Sequence, residues 1–270
     1  MTQTLIKGDC IKALDAHLIP KIDVVVTSPP YNIGLGYDTY SDTKSNSDYI
    51  SWLSTIFAKI GSILNDDGHI FLNIDGTSKH PYLPFELVIA LKETFVLQNT
   101  ITWVKSIAID DVTTGHFKPI NSKRYLNHTH EYIFHFTKAG AAPIDRKAIG
   151  VPYMDKTNIA RRNHDSDKRC RGDVWFVPYE TIQSKDQKFH HPGTFPVKIP
   201  QMCLSLNGKD KGVVFDPFVG TGTTLIAAAI KGWDGYGCDI SKSYLDAAAL
   251  RLKLCKFNTV DTKYVELPSE

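Results

Sequence analysis

Two short segments carry residue types whose spacing could do chemistry. The first is Ser28-Pro29-Pro30-Tyr31, which follows the apolar run Ile22-Asp23-Val24-Val25-Val26. Paired prolines hold the backbone extended and rigid, and a rigid backbone can aim a carbonyl. The Pro29 carbonyl and the Ser28 hydroxyl oxygen could both accept hydrogens from one planar NH2 group, with Tyr31 against the flat face of the ring that bears it. Taken alone, the four residues also fit a proline-rich turn or a polyproline ligand.

The second segment is Val213-Val214-Phe215-Asp216-Pro217-Phe218-Val219-Gly220-Thr221-Gly222-Thr223-Thr224, a strand running into a glycine-rich turn that opens a helix. Glycines let a backbone approach a ligand closely, and the first amides of the helix point at whatever lies at the carboxyl ends of the strands. Asp239 ends the next strand pattern, seventeen positions after Gly222, where a ribose hydroxyl would be gripped. A P-loop would need Lys where Thr223 stands, and a dinucleotide fingerprint would need Gly where Leu225 stands. A cofactor with a nucleoside but no pyrophosphate explains both departures, and S-adenosylmethionine is the commonest such molecule. A turn with purely structural glycines is the alternative.

Other constellations fail on spacing. His130-Glu131-Tyr132-Ile133-Phe134 opens like the zinc-protease pattern HExxH, but Phe134 replaces the second His and His135 falls one position late. His128, His130 and His135 therefore read as structural. The PCxxC signature of zinc deaminases is absent, and no metal is expected. The run from Arg161 to Arg171 holds Arg161, Arg162, Lys168, Arg169 and Arg171 against two acids, and could grip phosphates or reach into a groove; a solvated loop fits it equally.

The elements that must position these residues read as an α/β alternation. Helices are expected over 11–18, from an Asp48 cap through Ile50, Leu53, Phe57, Ile60 and Leu64, over 84–93, 196–206 and 223–231, and after Ser241. Strands are expected at 21–26, 69–74, 97–104, 132–136, 213–215 and 236–239. Phe57, Phe71, Phe134 and Phe136 read as core. From 138 to 188 periodicity fades, which marks an inserted or extended region outside the core sheet, and the tail after Phe257 is expected to fray.

Composition fits a soluble, self-sufficient globular chain: 270 residues, 42% hydrophobic and 22% charged. No apolar stretch is long enough for a membrane span, and Lys7, Asp9, Lys12 and Asp15 interrupt any leader-like segment, so a cytoplasmic protein is expected. Five cysteines form no CxxC pair and read as reduced thiols. The formal charge is only +2, but residues 105–190 hold fifteen Lys or Arg against ten Asp or Glu, a surplus that hints at a nucleic-acid surface in mid-chain.

Side by side, the two segments resemble the DNA amino-methyltransferases that use S-adenosylmethionine. The tetrapeptide of that family, (Asp, Asn or Ser)-Pro-Pro-(Tyr, Phe or Trp), is similar to Ser28 to Tyr31, and its cofactor loop, Asp-Pro-Phe-x-Gly-x-Gly-Thr, is similar to Asp216 to Thr223. The tetrapeptide precedes the loop, an order similar to the permuted β group. Gly8-Asp9-Cys10 and the stretch from His191-Pro192 to Pro196 also resemble family segments.

The resemblance implies a Rossmann-like, mostly parallel methyltransferase sheet with an inserted target-recognition region. The implied divisions are 1–106 for the catalytic half, 107–188 for the last core strands and target recognition, 189–257 for the cofactor half and 258–270 for the tail. It implies a cofactor pocket of Asp9, Asp216, Pro217, Phe218, Gly220, Thr221, Gly222, Thr223 and Asp239, and an amine-holding site of Ser28, Pro29, Pro30 and Tyr31. The implied substrate is double-stranded DNA with the target base flipped out. Ser at the head of the tetrapeptide favours cytosine N4 over adenine N6, while C5 chemistry would need a Cys after Pro, which no cysteine provides. A cognate restriction endonuclease and a homodimer are the implied partners; a non-catalytic DNA-binding subunit is the more distant alternative.

Overall fold

The valine run becomes a strand buried on both faces, which is how a β-branched segment behaves at the centre of a parallel sheet. A computed structural model describes all residues except 33–35, 37–38, 41–42, 116–119, 162–165, 180–194, 256–259 and 269–270. Its first half contains β1 (Thr2–Lys7), α1 (Cys10–Asp15), β2 (Ile22–Thr27), α2 (Asn46–Ile63), β3 (Leu64–Ile74), α3 (Leu83–Leu91) and β4 (Val96–Val104). A small hairpin, β5 (Ser106–Ile109) and β6 (Val112–Gly115), precedes β7 (His130–Thr137), α4 (Thr157–Arg161) and β8 (Val174–Phe176). The remainder is α5 (Lys198–Leu206), β9 (Val213–Asp216), α6 (Thr223–Lys231), β10 (Asp234–Asp239), α7 (Lys242–Leu254) and β11 (Asp261–Glu266).

Nine strands form one sheet in the order β11-β1-β10-β9-β2-β3-β7-β4-β8. All neighbours pair in parallel except those of β7, which runs against β3 and β4. Alternate side chains serve opposite faces: Val25, Ile70 and Leu72 pack with α1, α2 and α3, while Val24, Val26 and Phe71 pack with α5 and α6. The chain reverses its direction of growth where β9 lies beside β2, and such a switch point opens a crevice at the carboxyl ends of the strands.

Several expectations are corrected. The tail does not fray throughout: β11 pairs with the whole of β1, and Leu267 closes over Gly8, where an added Cβ would lie 2.6 Å from Leu267 Cδ1. That strand is held by backbone hydrogen bonds at a sheet edge and is mostly exposed, so its side chains carry little pattern. The mid-chain region is not wholly outside the sheet either, because Val174–Phe176 pair with β4 as the opposite edge. The cap of α2 is Ser45, whose Oγ accepts from Asp48 N at 3.1 Å and donates to Asp48 Oδ2 at 2.6 Å, so Asp48 sits three residues inside the cap. The strand β1, with no strand expectation in the sequence, lies buried between β10 and β11. Among the described residues no helix is long and apolar enough to cross a membrane.

His135 and His69 confirm the structural reading for one of the three histidines and add a partner. Their rings meet at 3.0 Å between β7 and β3, Asn99 bonds the other nitrogen of His135 at 2.8 Å, and Phe71 stacks on His135. Burial pushes His69 down to about 4, and burial plus His69 pushes His135 down to about 3. Both are neutral when folded and charge more readily when unfolded, so stability is full above pH ~6.5 and falls as pH drops toward about 4. A His69→Leu/His135→Leu double variant should show a shallower loss over that window in denaturant titrations at stepped pH.

Candidate active site

The carboxyl ends of adjacent strands β2 and β9 bring together two segments that lie far apart in the chain. Thr27 Oγ1 donates to Asp216 Oδ1 at 2.7 Å, Thr224 Oγ1 donates to Asp216 Oδ2 at 2.7 Å, and Phe218 N donates to Oδ1 at 3.0 Å. Burial pushes the Asp216 carboxyl up to about 6, against the three donors that pull it down. Asp216 therefore fastens the tetrapeptide strand to the glycine loop and to the start of α6.

A cavity of about 650 Å³ opens at this junction. Ser28, Pro29, Pro30 and Tyr31 line one part of it. Asp9, Asp216, Pro217, Phe218, Gly220, Thr221, Thr223 and Asp239 line another. Gly222 does not: an added Cβ there would lie 2.8 Å from Ala248 Cβ, and φ is +83°, so this glycine serves the packing of α6 on α7 rather than the cavity. The loop is pinned again by Arg251 of α7, whose Nη1 donates to Thr221 O at 2.6 Å and reaches Thr221 Oγ1 and Thr223 Oγ1.

On this side the carboxylates also organise their own turns. Asp239 Oδ2 accepts from Gly220 N at 2.9 Å and Oδ1 from Ser241 N at 2.8 Å. Asp9 caps α1 by accepting from Ile11 N at 2.8 Å. Trp52 packs against Phe218 at the rim, with ring centroids 5.4 Å apart.

The tetrapeptide stands at the boundary with a second, polar and aromatic part. Tyr49 Oη donates to the Pro30 carbonyl at 2.6 Å, while among the described residues no donor engages the Pro29 carbonyl. Ser28 Oγ donates to Tyr31 Oη at 3.1 Å, and Tyr31 Oη donates to Glu131 Oε2 at 2.9 Å. Glu131 also accepts from Asn73 Nδ2 and Lys105 Nζ at 3.0 Å and from Tyr179 Oη at 3.1 Å. These groups come from the ends of β2, β3, β4, β7 and from just past β8. Burial pushes the Tyr31 and Tyr179 phenols well above their ordinary range, with the Glu131 charge as the second cause, so both stay protonated donors.

Glu131, Asn73, Lys105 and Tyr179 were not among the sequence-derived site residues. The available signal was Glu131 itself, a carboxylate opening an otherwise aromatic and aliphatic strand. His128, read as structural, lines the cavity with Nδ1 3.0 Å from Asp75 Oδ2. Of the basic run, Lys168 and Arg169 are exposed, Arg171 Nε donates to Ile149 O, and none of the three lines the cavity. Arg161 ends α4, while Arg162, and with it His191-Pro192, lie outside the described residues.

The family model described as DNA methylase, covering N6 and N4 methyltransferases, matches residues 22–250, and the chain belongs to that family. It is thus a DNA methyltransferase. It is similar to the Type II methyltransferase M.ScaI of Streptomyces caespitosus, 26% identical over 257 residues that cover 92% of this chain and 81% of that protein. Among solved structures it is similar in fold to the cytosine-N4-specific PvuII DNA methyltransferase, with a TM-score of 0.71, 17% identity and coverage of 96% and 89% of the two chains. It is also similar in fold to a DNA modification methylase of Thermus thermophilus, TTHA0409, complexed with S-adenosyl-L-methionine, with a TM-score of 0.67, 19% identity and full coverage of both chains.

Asp216→Asn should leave one of the two threonine hydroxyls without an acceptor, costing about 2 kcal/mol in chemical denaturation. An unchanged midpoint and slope would show that the carboxylate does not fasten the two segments.

Proposed function

We propose that the chain transfers a methyl group from S-adenosylmethionine to the exocyclic N4 of cytosine in duplex DNA. The observation that carries this reading is that one cavity joins the glycine loop to the tetrapeptide, with the Pro29 carbonyl left open at the boundary. The donor set fits the cofactor. The Asp239 and Asp9 carboxylates lie where ribose hydroxyls and a cationic chain can be met, and Phe218 and Trp52 offer apolar faces for a base. Bound there, the cofactor supplies an electrophilic methyl group on a positively charged sulfur.

The residues of the chain act on the amine. Its lone pair is delocalised into the ring, so it is a poor nucleophile. Ser28 Oγ and Pro29 C=O accept its two hydrogens and draw the nitrogen toward tetrahedral geometry. As nitrogen gains positive charge, these fixed acceptors stabilise it more than the ground state, and holding the reactants together removes much of the remaining barrier. No covalent enzyme intermediate is required. Inside a duplex the amine is out of reach, so the base is turned out of the helix and its face meets the Tyr31 ring. Ser28 favours cytosine N4 through the family association of Ser with that target. Lys168 and Arg169, exposed beyond the cavity, are proposed to contact phosphates.

Incubation with unmethylated mixed-sequence duplex DNA and S-adenosylmethionine, then nuclease digestion and mass spectrometry, should yield N4-methylcytosine. N6-methyladenine would keep the chemistry and overturn the base assignment. Tyr31→Ala should lower transfer far more than cofactor affinity. Asp239→Ala should weaken cofactor binding by calorimetry about tenfold, since it removes a carboxylate and frees Gly220 N. Equal losses of transfer and affinity in Tyr31→Ala would remove that residue from the amine site.

A further inference from the structure

The hydroxyl of Ser28 can serve as an acceptor only if its own proton is directed away from the cavity. A serine oxygen has one proton and two lone pairs, and the same is true of a phenol, so a chain of two hydroxyls can run in either direction. The direction is set by what stands at its end. Here the end is Glu131, with its side chain 10% exposed, beside Lys105 Nζ at 3.0 Å, and an ionised carboxylate accepts hydrogens but donates none.

Resting on the methyltransfer reading above, we propose that Glu131 is a positioning residue: it polarises the chain Ser28 Oγ to Tyr31 Oη to Glu131 Oε2 so that the Ser28 lone pairs face the target amine. Tyr31 Oη meets acceptors on its inner side only. Asn73 Nδ2 is committed to Glu131 Oε2 and to Tyr132 O, which turns Asn73 Oδ1 toward the Tyr31 hydroxyl at 3.1 Å. Facing two acceptor oxygens, the phenol donates inward and presents its own lone pair to Ser28. The Ser28 proton, 3.1 Å from that lone pair, follows. The same bonds hold the Tyr31 ring in one plane, which is the plane a stacked base must match.

Lys105 and Tyr179 complete the arrangement from the far side. Both bond Oε1, leaving Oε2 to Tyr31 and Asn73, so each carboxylate oxygen takes two donors. A carboxylate so buried is tolerable only with this number of donors and a counter-charge in contact. Replacing Glu131 by Gln keeps the shape but introduces an NH2 that can donate to Tyr31 Oη. The phenol proton is then free to point at Ser28, and the Ser28 proton to point at the amine, which is the wrong polarity for the reaction.

The test is a double-mutant cycle on the full-length chain. It measures incorporation of labelled methyl into unmethylated mixed-sequence duplex DNA at saturating cofactor, with cofactor affinity measured separately by calorimetry. Tyr31→Phe keeps the ring and removes the relay; Glu131→Gln keeps the volume and removes the acceptor-only terminus. Each should slow transfer about tenfold at unchanged cofactor affinity, and the double variant should be no more than about twofold slower than Tyr31→Phe alone. A residue that merely supports the fold would instead give losses that multiply to about a hundredfold, and that result overturns the proposal. So does transfer at the wild-type rate by Tyr31→Phe, a variant that leaves no buried charge unpaired and decides the matter even if Glu131→Gln does not fold. Absence of transfer by the wild type would overturn the methyltransfer reading itself, whereas wild-type transfer with an unaltered Tyr31→Phe rate would overturn the polarised chain alone.

Discussion

A buried carboxylate holds the cavity together. Asp216 ends β9, and its two oxygens take Thr27 from the neighbouring strand, Thr224 from the helix that follows and Phe218 from the turn between them. Burying an ionised carboxyl is costly, and burial pushes its pKa up to about 6, so the three donors are needed to keep it charged at neutral pH. The consequence is geometric: the strand that ends in the tetrapeptide and the turn that opens α6 are fixed to each other, although 189 residues separate Thr27 from Asp216. Arg251 on the loop threonines and Ala248 against Gly222 then hold the same turn from its outer side.

The order of strands distributes chemistry along the sheet. On one side of the β2–β9 junction, β9, β10 and β1 end in backbone turns organised by Asp239 and Asp9. On the other side, β3, β7 and β4 and the segment after β8 end in Asn73, Glu131, Lys105 and Tyr179, which share one hydrogen-bond network. The tetrapeptide lies between them, with the Pro30 carbonyl taken by Tyr49 and the Pro29 carbonyl open. A reaction between two bound molecules needs this arrangement, since each must be gripped by its own set of groups while the reacting atoms meet at a shared wall. The antiparallel β7 contributes through its amino end, which places Glu131 at the same edge as the carboxyl ends of its parallel neighbours.

Much of this was legible in the amino-acid sequence for a physical reason: local patterns set local structure. The valine run before Ser28, the Gly220-Thr221-Gly222 turn before a helical stretch, and Asp239 at a strand end each report on a few consecutive residues. Their order along the chain was enough to imply an α/β sheet with a site at its strand ends, and the family assignment agrees. The mostly exposed β11 and the three residues of β8 were not legible, because an edge strand held by backbone bonds to one partner leaves little hydrophobic periodicity. Asp48 was mistaken for the cap of α2 because Ser45 and Asp48 are three apart and bond reciprocally, so either reads as a capping residue.

What the sequence by itself determined was therefore the chemistry available: a rigid tetrapeptide able to accept two hydrogens, and a glycine turn with an acidic partner. What only the tertiary structure decided was which groups are spent and which are open. Asp216 proves to be a fastener as well as a wall, Gly222 a packing site outside the cavity, and Glu131, dismissed with a failed metal pattern, the hub of four donors. Such commitments are settled by contacts between residues tens to hundreds of positions apart, and a carboxylate's partners in space leave no trace in its neighbours along the chain.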